Sequence, residues 1–444
     1  MFRGNPTRTV GRITRLFFLF SVLLTTFAAC GGSSATPSQH TTLVVWTEAG
    51  ATLASAKANP NTPEGKYGHY IIEQFEKEHP GVTVKLEDHG WDEQLRQNLL
   101  TSLMAGTGPD IVVGENYFQQ YAALGTLVPL DDVIGDIKSN LVHGTYKAAE
   151  YNGHIYGLSA FTGVFGFERN CKVVEAAGFD CNKPPQTWDE LVQQAQAITQ
   201  KGGGKTFGYS LQGPAGFSVG SVFRIAAYLA QAGASLCQNN CTQPYFNDPK
   251  SVPVYEFLRK INTDTPPGLT FNPDEGQLYT QLFKGVSAYQ MAGSWHVTWA
   301  KQNNCADCRY SAIPVPSGGH AASVIVGNVQ YAVLKRSKNI DLAKQWIKFV
   351  ARDDVQNLVF SSMGRLPSTK SALTKLRPTA DPATQTFIDV ILNSADLGIL
   401  PQWQKNPQQI WTAYNNMLTK LFTTNTPVPQ LLDQAQQAAQ AASQ

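Results

Sequence analysis

An α/β fold on an open sheet is predicted by three observations between Ile71 and Asp132: helix and strand alternate, the helices stop at proline and glycine, and the strands are short apolar runs. The first helix, Ile71 to Glu78, ends at His79-Pro80-Gly81. Proline has no amide hydrogen to continue the ladder and glycine supplies the cap, so the chain leaves the helix there. The strand Val82-Thr83-Val84-Lys85-Leu86 follows at once. Asp92 can cap a second helix in which Leu95, Leu99 and Leu103 share one face. That helix stops at Gly106-Thr107-Gly108-Pro109-Asp110, and Ile111-Val112-Val113 reads as a buried strand.

The strand Leu43-Val44-Val45-Trp46-Thr47, FEKEHPGV (Phe75 to Val82), AGTGPDIV (Ala105 to Val112) and GTLVPLDD (Gly125 to Asp132) follow one another at a characteristic spacing. The series continues with YNGHIYGLS (Tyr151 to Ser159), PPQTWDEL (Pro184 to Leu191), AGSW (Ala292 to Trp295) and LKRSKNIDLAKQWIKFV (Leu334 to Val350). In order and spacing it resembles the maltose-type (family 1) extracellular solute-binding proteins, the receptors of ABC sugar importers. The resemblance implies a two-lobed, type II periplasmic-binding-protein-like fold, with a ligand cleft between lobes joined by hinge crossings.

Arg3, Arg8, Arg12 and Arg15 make a basic leader, Leu16 to Phe27 an apolar core too short to span a membrane, and Phe27-Ala28-Ala29-Cys30 a small-residue cleavage site. The cysteine directly after that site looks like a bacterial lipobox, although Phe27 stands where the family usually has leucine. Residues 1–29 are thus expected to be a lipoprotein signal peptide, Cys30 the acylated N-terminus, and 30–40 a flexible tether of small polar residues. A plain secretory signal with an incidental cysteine is the alternative. Removing residues 1–29 takes away four arginines and no acid, so the formal charge moves from +2 to −2. Such a chain has no basic cluster for nucleic acid. It is expected to sit outside the bacterial cell membrane, held there by its lipid, as a monomer.

The other six cysteines fall into close pairs, Cys171 with Cys181, Cys237 with Cys241 and Cys305 with Cys308. In an exported protein these read as local disulfides, though six cysteines permit other pairings. Cys305-Ala306-Asp307-Cys308 also fits half a zinc site or a redox pair, but neither a further ligand set nor a thioredoxin-like setting accompanies it. Asn240-Cys241-Thr242 matches a glycosylation triplet that is common by chance. No cofactor or metal is expected.

By resemblance, lobe one comprises residues 41–160 plus 328–367, and lobe two residues 161–327 plus 368–444. Ser159 to Phe167 supports a crossing independently, being apolar, without helical period and punctuated by Gly163 and Gly166, which would allow rotation. Ser323 to Val333 is a second crossing around Gly327-Asn328. Thr187-Trp188-Asp189-Glu190 reads as a capping box opening a scaffold helix to Thr199, and Gln430 to Gln444 as a fraying terminal helix. The glycines at 202–204 lack the Lys-Ser/Thr pair of a phosphate loop.

Sugars present flat C–H faces and a ring of hydroxyls, so a sugar site needs aromatic plates and planar polar groups. Trp295 and Trp411 match family positions that commonly stack on ligand, and Trp403 lies just upstream of the second. On lobe one, Glu115, Asn116 and Tyr117 follow the strand at Ile111 to Val113, beyond its carboxyl end, where ligands of open α/β sheets bind. Asn116 is the best candidate there. The first strand delivers Trp46, Thr47 and Glu48, and the loop after Asp88 delivers His89 and Trp91. Phe161, Phe217 and Asn328 lie near the crossings. Each of these also fits an ordinary core or loop role. Where the family has an aromatic before asparagine, this chain has Glu168-Arg169-Asn170, and whether the charged pair faces solvent or the hinge is open.

The expected function is therefore capture of a carbohydrate, an oligosaccharide given the supply of aromatic plates, for delivery to ABC permease subunits, without catalysis. A receptor for a metal, polyamine or phosphodiester is the alternative. A glycoside hydrolase would need a carboxylate pair, for which Glu48, Asp110 and Glu115 are the available groups. The chain has no HExxH helix, and its eight histidines are scattered.

Overall fold

The computed structural model describes residues 40–47, 61, 63–90, 93–114, 118–159, 161–214, 220–239, 242–272, 274–326, 329–393, 397–398, 400–401, 403 and 405–443. Its sheet strands are β1 (Thr41–Thr47), β2 (Val82–Asp88), β3 (Ile111–Gly114), β4 (Leu158–Ser159), β5 (Gly163–Asn170), β6 (Phe207–Ser210), β7 (Ser287–Gly293), β8 (Cys308–Ser311), β9 (Ser323–Val326), β10 (Gln330–Val333) and β11 (Leu397–Gly398). The principal helices are α1 (Pro63–Glu78), α2 (Glu93–Met104), α3 (Trp188–Gly202), α4 (Gly220–Gln231), α5 (Glu275–Phe283), α6 (His296–Gln302), α7 (Ile340–Val350), α8 (Asp353–Met363), α9 (Pro407–Thr423) and α10 (Val428–Ser443). None of the described helices is long and apolar enough to cross a membrane.

One sheet has the order β2-β1-β3-β10-β4. Its first three strands run parallel, with α1 and α2 as crossovers, and β10 returns antiparallel to β3. The helix-to-strand turn forms as the sequence requires: Gly81 adopts φ 88°, and the Glu76 carboxylate accepts the Val84 amide at 2.8 Å. Leu43, Val45, Phe75, Ile111, Val333 and Trp346 make the core beneath this sheet.

The other sheet has the order β11-β9-β5-β7-β6, with β8 also paired to β5. Strand β5 is buried along its whole length and antiparallel to β7, β8 and β9. Helices α3, α4, α9 and α10 supply Leu191, Val222, Tyr414, Leu418 and Leu431 to the core packed on it. The chain passes between the sheets from β4 to β5 and again from β9 to β10. A third segment runs beside the first passage, where the Thr162 amide donates to Leu366 O at 2.7 Å.

Three local expectations need correction. Gly166 does not serve rotation: it lies inside β5, and a Cβ there would come within 2.7 Å of Phe387, so its role is close packing. The capping box is incomplete, because Thr187 accepts the Glu190 amide at 3.2 Å but Glu190 accepts from Gln186, one residue before the cap. The terminal helix does not fray. Val428, Leu431, Leu432, Ala435 and Ala439 of α10 are buried, and Gln436 accepts the Phe246 amide at 2.6 Å while donating to Pro244 O at 2.9 Å.

Cys171 is bonded to Cys181 and Cys305 to Cys308, with Cα separations of 5.2 and 5.5 Å. The second bond disposes of the zinc reading of Cys305 and Cys308, since bonded sulfurs are not thiolate ligands. Cys237 is also in a disulfide; Cys241, its expected partner, lies outside the described residues, as does Cys30.

Candidate functional site

At the carboxyl end of the first sheet, register places Trp46 of β1 opposite Glu87 of β2. The indole Nε1 donates to Glu87 Oε2 at 2.8 Å, and the ring stacks on His89 with centroids 3.6 Å apart. Lys85, 2.6 Å from Glu87, holds that carboxyl below its usual range; burial opposes the shift, and hydrogen bonds from His89 and Trp46 reinforce it. Trp46 is thus oriented by its neighbours. Glu48, Trp91, Glu115, Asn116, Tyr117, Phe217 and Asn328 lie outside the described residues.

The second wall is built around Trp295, which lies two residues beyond β7 and stands at the N-cap position of α6. Gly293 makes room for it, because a Cβ at that position would meet the indole at 2.3 Å. Phe165 and Trp299 lie 5.9 and 6.2 Å from its ring, and Tyr279 lies 4.7 Å from Trp299. The Arg365 guanidinium is 5.1 Å from the centre of Trp295 and 5.5 Å from that of Phe161. One cation therefore joins Phe161, two residues before β5, to Trp295, the residue before α6.

Polar groups converge beside this aromatic wall. Arg224 on α4 is nearly buried over the Phe165 ring, donates to Gln212 Oε1 at 2.6 Å, and meets Glu275 at 2.5 Å. Burial would raise the Glu275 carboxyl, but Arg224, helped by His296 and Arg365, outweighs it and holds the group below its usual range. Glu275 keeps 36% of its side chain exposed, so the pair has a wet side. Gln212 Nε2, Ser221 Oγ and Ser294 Oγ are buried without a hydrogen-bond partner. Unpaired buried donors and acceptors are costly, and a hydroxyl-rich ligand would satisfy such groups.

The remaining expected residues are placed differently. Phe161 is 1% exposed and belongs to the core of the first sheet. Trp403 is 3% exposed, so it offers no free face. Trp411 is partly buried against the core of the second sheet, and the two indoles lie 5.8 Å apart. Among the described residues their ring contacts run to Phe246 and Tyr414 and do not reach Trp295. Asp110 is tied into the fold: it accepts the Val44 amide at 2.8 Å, Ser337 Oγ at 2.5 Å and Asn339 Nδ2 at 3.2 Å. Sequence reasoning missed Gln212, Arg224, Glu275, Tyr279, Trp299 and Arg365. The available signal was Arg224 itself, a lone charge within the apolar run Ser221-Val222-Phe223-Arg224-Ile225-Ala226-Ala227.

Two sheets linked by repeated passages, with aromatic and polar groups gathered where the chain crosses, define a two-lobed receptor. The model of the family described as bacterial extracellular solute-binding protein matches residues 59–357, and the chain belongs to that family, whose members bind solutes. The diacetylchitobiose binding protein of Streptomyces coelicolor is 23% identical over 405 residues, spanning 88% of this chain and 90% of its own. The galactooligosaccharide-binding protein of Bacillus subtilis is 22% identical over 437 residues, 96% of each chain. Among solved structures, the cyclic alpha-maltosyl-1,6-maltose binding protein from Arthrobacter globiformis is similar in fold, with a TM-score of 0.76 at 21% identity over 90% of this chain and 98% of that one.

Proposed function

We propose that this chain captures a carbohydrate, an oligosaccharide, between its two lobes and delivers it unaltered to the permease subunits of an ABC importer. The observation that carries the reading is the Trp295 wall: aromatic faces from Trp295, Trp299 and Tyr279 beside the Arg224–Glu275 pair and the unpartnered atoms Gln212 Nε2, Ser221 Oγ and Ser294 Oγ. Apolar faces next to planar and hydroxyl hydrogen-bonding groups complement a pyranose, with its C–H face and equatorial hydroxyls. The oligosaccharides named for the Streptomyces and Bacillus relatives point the same way.

In this reading lobe one is 41–160 with 328–367 and lobe two is 161–327 with 368–444, and Trp46, Glu48, Trp91 and Glu115 to Tyr117 are the lobe-one candidates for ligand contact, Trp295 the lobe-two one. Trp411 is retained as a second plate. The protein works as a monomer tethered to the outer face of the membrane through acylated Cys30. A thermal-shift screen of the mature protein against mono- and oligosaccharides tests the ligand class. An oligosaccharide is expected to raise the melting temperature by mass action, whereas a response only to a metal, polyamine or phosphodiester would move the assignment to that solute. Mass spectrometry of membrane-bound protein is expected to find diacylglycerol on Cys30, and a mature chain starting elsewhere would remove the anchor from the account.

A further inference from the structure

Glu168 is fully buried in β5, and strand register fixes two of its neighbours: Gln290 of β7 lies opposite on one side and Tyr310 of β8 on the other. Gln290 Nε2 donates to Oε2 at 2.6 Å, and Tyr310 OH donates to Oε1 at 2.6 Å. A third partner comes from a different element. His296 Nδ1, on a side chain equally inaccessible to water, lies 3.1 Å from Oε2. A buried carboxyl group engaged by three side chains is strongly fixed in place, because losing any of them leaves a buried polar atom without its partner. The charged pair near the carboxyl end of β5 is thus turned away from solvent, with Arg169 Nε donating to Cys181 O at 2.7 Å.

His296 is the first residue of α6, and Trp295 precedes it as the N-cap residue without giving the helix a side-chain cap. The rings of Tyr279 and Trp299 flank His296 at 5.0 and 5.3 Å, so the imidazole sits under the aromatic wall. The group that Glu168 holds is thus covalently adjacent to the indole. We propose that Glu168 is a positioning residue: through His296 it fixes the first turn of α6 and with it the face that Trp295 presents to ligand. The proposal rests on the reading of Trp295 as a carbohydrate plate.

The test is a double-mutant cycle on the full mature chain, combining Glu168→Gln with Trp295→Ala and titrating diacetylchitobiose, maltotriose and a galactotriose by calorimetry. Glu168→Gln keeps the shape and removes the charge. It is expected to raise Kd about tenfold in the wild-type background and by less than about twofold once Trp295 is gone, as a group acting through that ring must. An equal loss in both backgrounds, or no loss in either, would overturn it. A second readout needs no ligand: the Trp295 indole N–H resonance, assigned by its absence in Trp295→Ala, is expected to shift in Glu168→Gln, and an unmoved resonance in a folded variant would also overturn the proposal. If wild type binds none of the sugars, the carbohydrate reading falls and the resonance alone decides the positioning role. Should Glu168→Gln not fold, Tyr310→Phe removes one donor, with an expected rise of about threefold and the same dependence on Trp295.

Discussion

The indole of Trp295 can act as a plate only if it is held, and it is held on several sides by Gly293, Phe165, Trp299 and Arg365. Its replacement by alanine is expected to raise Kd by about 5- to 150-fold, the equivalent of about 1 to 3 kcal/mol, with a smaller effect on folding. Calorimetry beside thermal melting checks this, and lost stability with unchanged affinity would make the residue core alone. The Arg224–Glu275 pair makes a separate claim about pH. A carboxyl whose folded-state value is depressed contributes fully above its unfolded value of about 4.3 and loses that contribution only as pH falls through the lower folded value. The stability this pair contributes should therefore be complete at neutral pH and be lost as pH falls through the lowered value, and Glu275→Gln should remove that acid limb from a pH titration of unfolding stability. An unchanged acid limb would place the titrating group elsewhere. Trp295 was legible because AGSW is a local pattern. Its polar neighbours were not, since Arg224 and Glu275 are 51 positions apart and meet only in the folded chain.

At the scale of elements, what was legible is what short-range chemistry decides. His79-Pro80-Gly81 ends α1 whatever packs on it, and the apolar run Ile111-Val112-Val113 becomes β3 because it must be covered on both faces. The last helix was misread for the converse reason. Its Gln/Ala composition carries little local signal of burial, whereas its docking depends on Phe246 and Pro244, about 190 residues away along the chain. Leu431→Ala is expected to cost about 2 to 4 kcal/mol in denaturant unfolding, against less than about 0.5 kcal/mol for exposed Gln437→Ala. Equal, small effects would mean that α10 contributes little to the second core. Strand β5 lies between these cases: its apolar character was visible, but the burial of Glu168 was not, because it depends on partners from β7, β8 and α6.

For the whole molecule, capture requires that ligand favour the state in which both lobes touch it, since binding shifts an equilibrium only by its differential affinity for the two states. Trp46 stands on a strand of the first sheet and Trp295 just beyond β7 of the second, so a sugar that contacts both, as proposed, favours the state in which both contacts are made. Arg365 already spans the rings of Phe161 and Trp295, and the segment that carries it runs beside the first passage. The measurement that tests this most directly is small-angle scattering of the mature protein with and without the oligosaccharide giving the largest thermal shift, followed by chromatography of the recovered ligand. A smaller radius of gyration with intact sugar is expected; an unchanged radius at saturation, or a cleaved sugar, would contradict capture between closing lobes.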